Sequence, residues 1–119
     1  MPYADTDFFV ALTRPNDRLR ESALKVYEAH KGRIYTSLTT MLELGLISTR
    51  LNTDPAELIL NALAIAKIKD AEAARVTAAV KLIQNGVGIF DAFHASLCDG
   101  EIISSDHVYD LIGVSRIEI

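Results

Sequence analysis

Two periods of apolar residues run along this chain. Short apolar stretches end near Asp5, at Ile34-Tyr35-Thr36 and at Ile102-Ile103-Ser104, and read as buried strands. Val114-Ser115-Arg116-Ile117-Glu118-Ile119 alternates and reads as a last strand. Between them the spacing turns helical. Phe8, Phe9 and Leu12 pack a short helical turn after Asp5. Asp17 is expected to cap a helix carrying Leu19, Ala23, Leu24, Val26 and Tyr27, which stops before Gly32. Ser37 is expected to cap a helix over residues 38–51 that is apolar nearly all round and therefore buried. Thr53 or Asp54 as a cap before Pro55 is a strong start signal for a helix to about residue 66, with Leu58, Ile59, Ala62, Leu63 and Ile65 inward.

Lys67-Ile68-Lys69 is a brief extended piece. Asp70 is expected to cap a helix through Ala74, Val76, Ala79, Val80 and Ile83 that stops at Asn85-Gly86. Asp91 then stands where the apolar run Val87 to Phe90 turns into a helix of small and apolar residues. Asp99-Gly100 reads as a turn, and a short helical turn over residues 108–111 ends at Gly113. Short strands alternating with helices predict βαβ units and a mostly parallel sheet. Right-handed crossovers put helices on both faces. The expected fold is a three-layer α/β/α sandwich with a short central sheet, one domain over residues 1–119.

Composition narrows the function. The chain has 119 residues, half of them hydrophobic and 24% charged, an ordinary globular balance. No run is apolar and long enough to span a membrane, and the N-terminus lacks the basic and apolar regions of a signal peptide. The single Cys98 excludes an intrachain disulfide and fits a cytoplasmic setting. The net charge of −4 gives no basic footprint for nucleic acid. A polyanionic substrate would need a metal ion or a locally basic rim.

Four acids occupy matching places. Asp5 and Asp106 fall at or just past strand ends, Asp91 opens a helix, and Glu43 lies inside the apolar helix after the second strand. Each has a plain reading alone: Asp91 as a helix cap, Glu43 as a solvent-facing residue. Ligand sites of open α/β sheets lie beyond the carboxyl ends of the strands, so all four can meet at one edge. Two carboxylates about 4 Å apart repel by roughly 4 kcal/mol at an effective dielectric of 20. A hard divalent ion resolves the conflict, and oxygen ligands favour Mg²⁺ or Mn²⁺. His and Cys are too scattered for a zinc site. A receiver domain also gathers aspartates, but it needs a Lys at a strand end, and Lys67 and Lys69 are poorly placed for it.

These residues resemble the PIN domain family of nucleases, and among them the VapC-like toxins of bacterial and archaeal toxin–antitoxin pairs. Asp5-Thr6-Asp7 resembles the family's N-terminal signature, and Glu43 stands at its glutamate position. Phe90-Asp91-Ala92-Phe93-His94-Ala95 resembles its Asp-Ala-x-x-Ala segment, and Ile103-Ser104-Ser105-Asp106 the segment before the final strand. The resemblance implies an endoribonuclease in which Asp5, Glu43, Asp91 and Asp106 bind one or two Mg²⁺ or Mn²⁺ ions. It implies Asp110 as the alternative fourth acid, and Ser104 as a hydrogen-bonding group within the site. Thr6 and Asp7 are candidates to support the ligands, although capping the helix of Phe8 and Phe9 is the favoured reading of Asp7. His94 lies one turn after Asp91 and can face the site, but packing within the helix is its favoured reading. The resemblance further implies an RNA substrate, a homodimer and a small antitoxin partner. An RNA-processing nuclease outside a toxin system and a non-catalytic RNA-binding PIN domain are the alternatives on the same fold.

Overall fold

The structure is a computed structural model that describes residues 1–69 and 71–119; the cap expected at Asp70 lies outside them. Five short strands, β1 (Tyr3–Ala4), β2 (Tyr35–Thr36), β3 (Lys67–Ile68), β4 (Ile102–Ser104) and β5 (Arg116–Glu118), form one sheet. Its order is β3-β2-β1-β4-β5, and every pairing is parallel. The extended piece after Ala66 is therefore an edge strand beside β2. The helices are α1 (Thr6–Thr13), α2 (Arg20–His30), α3 (Leu38–Ile47), α4 (Pro55–Ile65), α5 (Ala73–Gln84), α6 (Ile89–Leu97) and α7 (Val108–Leu111). No described helix is long and apolar enough to cross a membrane.

Strand side chains alternate between two cores, as a period of two requires. Ala4, Ile34 and Ile103 join Phe8, Phe9, Leu44 and Leu58 on the face covered by α1 to α4. Tyr3, Tyr35 and Ile102 join Ala95 and Tyr109 on the face covered by α5 to α7. The chain is thus the expected α/β/α sandwich.

Local signals held unevenly. Asp54 caps α4, its carboxylate accepting the Ala56 N–H at 3.0 Å with Pro55 at the first helical position. Asp17 does not cap α2. Its carboxylate accepts the Leu19 N–H at 2.9 Å, and Leu19 is the residue that borders the helix. Ser37 stands at the start of α3, but its hydroxyl bonds the Tyr3 hydroxyl at 2.6 Å instead of a helix N–H. The expected all-round burial of α3 also fails, and the helix stops at Ile47. Met41 and Leu44 are buried, whereas Leu38, Leu42 and Leu46 form an exposed stripe at four-residue spacing. Leu63, expected inward, is 47% exposed. A run this apolar does not reveal which face the sheet covers.

Two substitutions on α3 check that assignment of faces. Leu44→Ala should cost about 2–5 kcal/mol in urea denaturation, because the side chain is wholly buried. Leu42→Ala should stay within about 0.5 kcal/mol. Equal losses would contradict the burial described.

Candidate active site

The connections from β1 and β4 run to opposite sides of the sheet, so a crevice opens beyond the carboxyl ends of these neighbours. A cleft of about 360 Å³ lies there, lined by Asp5, Asp7, Glu43, Asp91 and Asp106 with Arg50 at its side. All four acids of the expected cluster line it.

Asp5 follows β1 directly and caps α1, its Oδ1 accepting the Thr6 N–H at 2.7 Å. Its Oδ2 accepts the Ser104 hydroxyl at 2.8 Å and the Tyr109 hydroxyl at 3.1 Å. Ser104 ends β4, so the two central strands tie this carboxylate in place. Asp7 is therefore not the cap. It lies in the first turn of α1, where its Oδ2 accepts the N–H of Ser105 at 2.9 Å and the Ser105 hydroxyl as well. Its Oδ1 is buried with no hydrogen-bond partner among the described residues. Burial, and after it the charge of Asp5, pushes the Asp7 carboxyl up to about 6.

Glu43 is half-buried rather than solvent-facing. Its Oε1 accepts the Thr6 hydroxyl and the His94 Nε2–H, the latter at 2.8 Å. Burial alone would raise its pKa, but the bonds from His94 and Thr6 outweigh it and hold the carboxyl below its usual range. Asp91 is no cap either. Gly88 occupies the cap position of α6, and Asp91 stands in the first turn with Oδ1 3.4 Å from the Tyr109 hydroxyl. Burial, followed by the charges of Asp106 and Asp5, lifts it to about 6.

Asp106 is exposed at the mouth. Its N–H donates to Ser104 Oγ at 3.0 Å, and its Oδ1 accepts the Val108 N–H at 2.9 Å where α7 opens. The alternative acid, Asp110, is not among the cleft residues; it pairs with Arg116 at 3.0 Å and His107 at 3.2 Å. Arg116 holds the Asp110 carboxyl below its usual range.

Two further residues of this region lie outside the expected site set. His94 is packed as expected, with no exposure, yet its Nε2 also lies 3.3 Å from Asp5 Oδ1. Asp5, Glu43 and His94 each offer a ligand atom within 4.8 Å of the others. Burial would lower the His94 pKa, but the bond to Glu43 and the charges of Asp5, Glu43 and Asp91 raise it. Its signal was the spacing of three residues from Asp91, which places both on one side of a helix. Tyr109 is buried, and burial followed by the charges of Asp5 and Asp91 raises its pKa. One tyrosine in a four-residue helix carries no periodic signal.

Solved structures share this architecture. VapC20 of Mycobacterium tuberculosis, described as a sarcin–ricin loop cleaving toxin, superposes with a TM-score of 0.83 at 15% identity, covering 98% of each chain. VapBC2 of Rickettsia felis, solved bound to a DNA fragment from its promoter, gives 0.71 at 15% identity, covering 100% of this chain and 99% of that one. A toxin–antitoxin complex from Klebsiella pneumoniae gives 0.65 at 18% identity, covering 90% of this chain and 88% of that one. No curated protein matches the chain. The PIN domain family model matches residues 3–109, a span that runs from β1 into α7 and takes in every acid of the cleft: the chain belongs to the PIN domain family.

Proposed function

We propose that this chain is a metal-dependent endoribonuclease, the toxin of a toxin–antitoxin pair. The observation that carries the reading is the gathering of five carboxylates on one cleft at the sheet's switch point. The relatives support it, since one is named a sarcin–ricin loop cleaving toxin and another a toxin–antitoxin complex. The donors fit a hard cation. They are carboxylate oxygens, and Asp7 adds a buried oxygen with no partner among the described residues. Asp5, Glu43, Asp91 and Asp106 would hold Mg²⁺ or Mn²⁺. Such an ion, when bound, activates water and stabilises the leaving oxygen of an in-line displacement.

The chain's own residues orient those acids. Ser104 and Tyr109 fix Asp5 from one side, and the Thr6 N–H fixes it from the other. The Thr6 hydroxyl fixes Glu43. Arg50 gives the cleft a local positive charge for an RNA phosphate, which the net charge of −4 does not supply. Asp110, neutralised by Arg116, is left out of the ligand set. Exposed Leu24 on α2 and Leu60 and Leu63 on α4 leave apolar surface for a second copy, which supports the homodimer. The antitoxin rests on the named relatives.

Cleavage of RNA should need added Mg²⁺ or Mn²⁺ and stop in EDTA; undiminished cleavage in EDTA would sink the metal reading. Asp91→Asn, which keeps the side chain's size and removes its charge, should lose most cleavage. The wild type should gain roughly 2.7 kcal/mol in melting with Mn²⁺ at a hundredfold excess over its dissociation constant, and the variant clearly less. A variant with wild-type cleavage and wild-type metal response contradicts the role given to Asp91.

The raised carboxyls also predict how stability of the metal-free protein changes with pH. Asp7 and Asp91 titrate near 6 when folded, against 3.8 for the free side chain, so between those values the folded state holds more protons. Stability should therefore fall as pH rises from about 4 to about 6. His94, raised above 6.5, extends the fall beyond that value. Glu43 acts in the opposite sense, but only near and below its free value of 4.5. Melting temperatures in EDTA across pH 4 to 7 measure this, and a rise across the window would contradict it.

A further inference from the structure

The proposed function leaves His94 unused, though it is a wholly buried polar group against the acids. Its ring is held at both nitrogens. Nε2 lies 2.8 Å from Glu43 Oε1, and Nδ1 lies 2.7 Å from the Tyr3 hydroxyl. That hydroxyl lies 2.6 Å from Ser37 Oγ. An ionised carboxylate only accepts, so the hydrogen between Glu43 and His94 sits on Nε2. On the far side, the Tyr3 and Ser37 hydroxyls each donate or accept, so they complete the bonding of Nδ1 in either protonation state. The result is a buried chain, Ser37–Tyr3–His94–Glu43, running from the start of α3 through β1 and α6 back to the middle of α3.

The chain has a directional consequence. Both donors to Glu43, the His94 ring and the Thr6 hydroxyl, act on Oε1. No donor among the described residues bonds Oε2, and Glu43 lines the cleft. One oxygen is anchored inward and the other is left to the site.

We infer that His94, backed by Tyr3 and Ser37, is a positioning residue that anchors Glu43 Oε1 so that Oε2 is presented to the cation. The inference rests on the reading of Glu43 as a ligand. Leucine in place of His94 would fill similar space and leave α6 packed, but Glu43 would lose one of its two anchors. Tyr3 touches no carboxylate through a hydrogen bond, so Tyr3→Phe tests the chain without altering a ligand or its direct donor. Partners that orient ligands in this way commonly change metal affinity or activity by about 10–100-fold when removed.

The test is Mn²⁺ binding to the purified protein, followed by the electron paramagnetic resonance signal of free Mn²⁺, with RNA cleavage kinetics beside it. His94→Leu should weaken the Mn²⁺ dissociation constant by about 10–100-fold, and Tyr3→Phe by about tenfold. His94→Gln keeps an N–H donor near the Nε2 position and should recover most of the loss. In His94→Leu and Tyr3→Phe, kcat should fall while KM for RNA stays near the wild-type value, and in His94→Gln kcat should recover with the affinity. Metal-free melting curves establish that each variant folds, and Tyr3→Phe decides the matter if His94→Leu does not. Folded variants with wild-type Mn²⁺ affinity overturn the inference and leave the proposed function standing. So does electron spin-echo modulation from a directly bound nitrogen in the wild type, since it would make His94 a ligand. A wild type that binds no Mn²⁺ removes the functional reading and this inference together.

Discussion

Mutual repulsion of carboxylates is the constraint on which the rest of this structure turns. Asp5, Asp7, Glu43, Asp91 and Asp106 share one cleft, and in a partly buried site such charges repel by kilocalories. The fold answers with donors. Asp5 alone receives a backbone N–H and two hydroxyls, Asp7 receives two donors from Ser105, and Glu43 receives a hydroxyl and an imidazole N–H. These bonds come from α1, β4, α6 and α7, and thus from both layers of the sandwich. The cluster is in this sense a junction of the fold.

The sheet makes the junction feasible although its strands are only two or three residues long. Parallel pairing puts the carboxyl ends of β1 and β4 side by side, so Asp5 and Ser104 meet across the strand pair. Tyr3 and Ala4 just before Asp5 are wholly buried on opposite faces, which holds the end of β1 in place. Period and register do the rest. On α3, Leu42 faces outward and Leu44 inward, and Glu43 between them falls toward the cleft. Contact between α3 and α6 then brings Glu43 to His94.

The architecture and the four acids were legible because each rests on a local pattern. Buried strands read as short apolar runs, and acids just past their ends follow from the rule for open sheets. Capping was far less legible. Asp7, Asp17, Asp91 and Ser37 all carry cap chemistry near a helix start, yet none makes the expected cap bond. The same oxygen that suits a cap also suits a distant partner, and Ser105 and Tyr3 are such partners for Asp7 and Ser37. A single sequence holds the local competitor in view and hides the distant one. His94 and Tyr109 escaped for a related reason: aromatic side chains within apolar stretches look like packing, and their polar atoms find the acids only after the sheet has formed.

Protons and a cation are alternative answers to the same repulsion. Asp7 and Asp91 hold protons to about pH 6, and His94 holds one beyond its ordinary range, so the folded chain carries part of its own neutralising charge. In the proposed function a divalent ion takes over that task in the same cleft, and its binding must then release protons. The bonds from Ser104, Tyr109 and the Thr6 N–H and hydroxyl need not change in that exchange, because they hold the Asp5 and Glu43 carboxylates from behind. A site of this kind keeps its geometry while its charge is rebalanced, as preorganised catalysis requires. It also explains why the inward side of the cluster is built from hydroxyls and an imidazole and not from lysines or arginines. Permanent cations there would neutralise the acids outright and leave the cleft with little affinity for a metal ion.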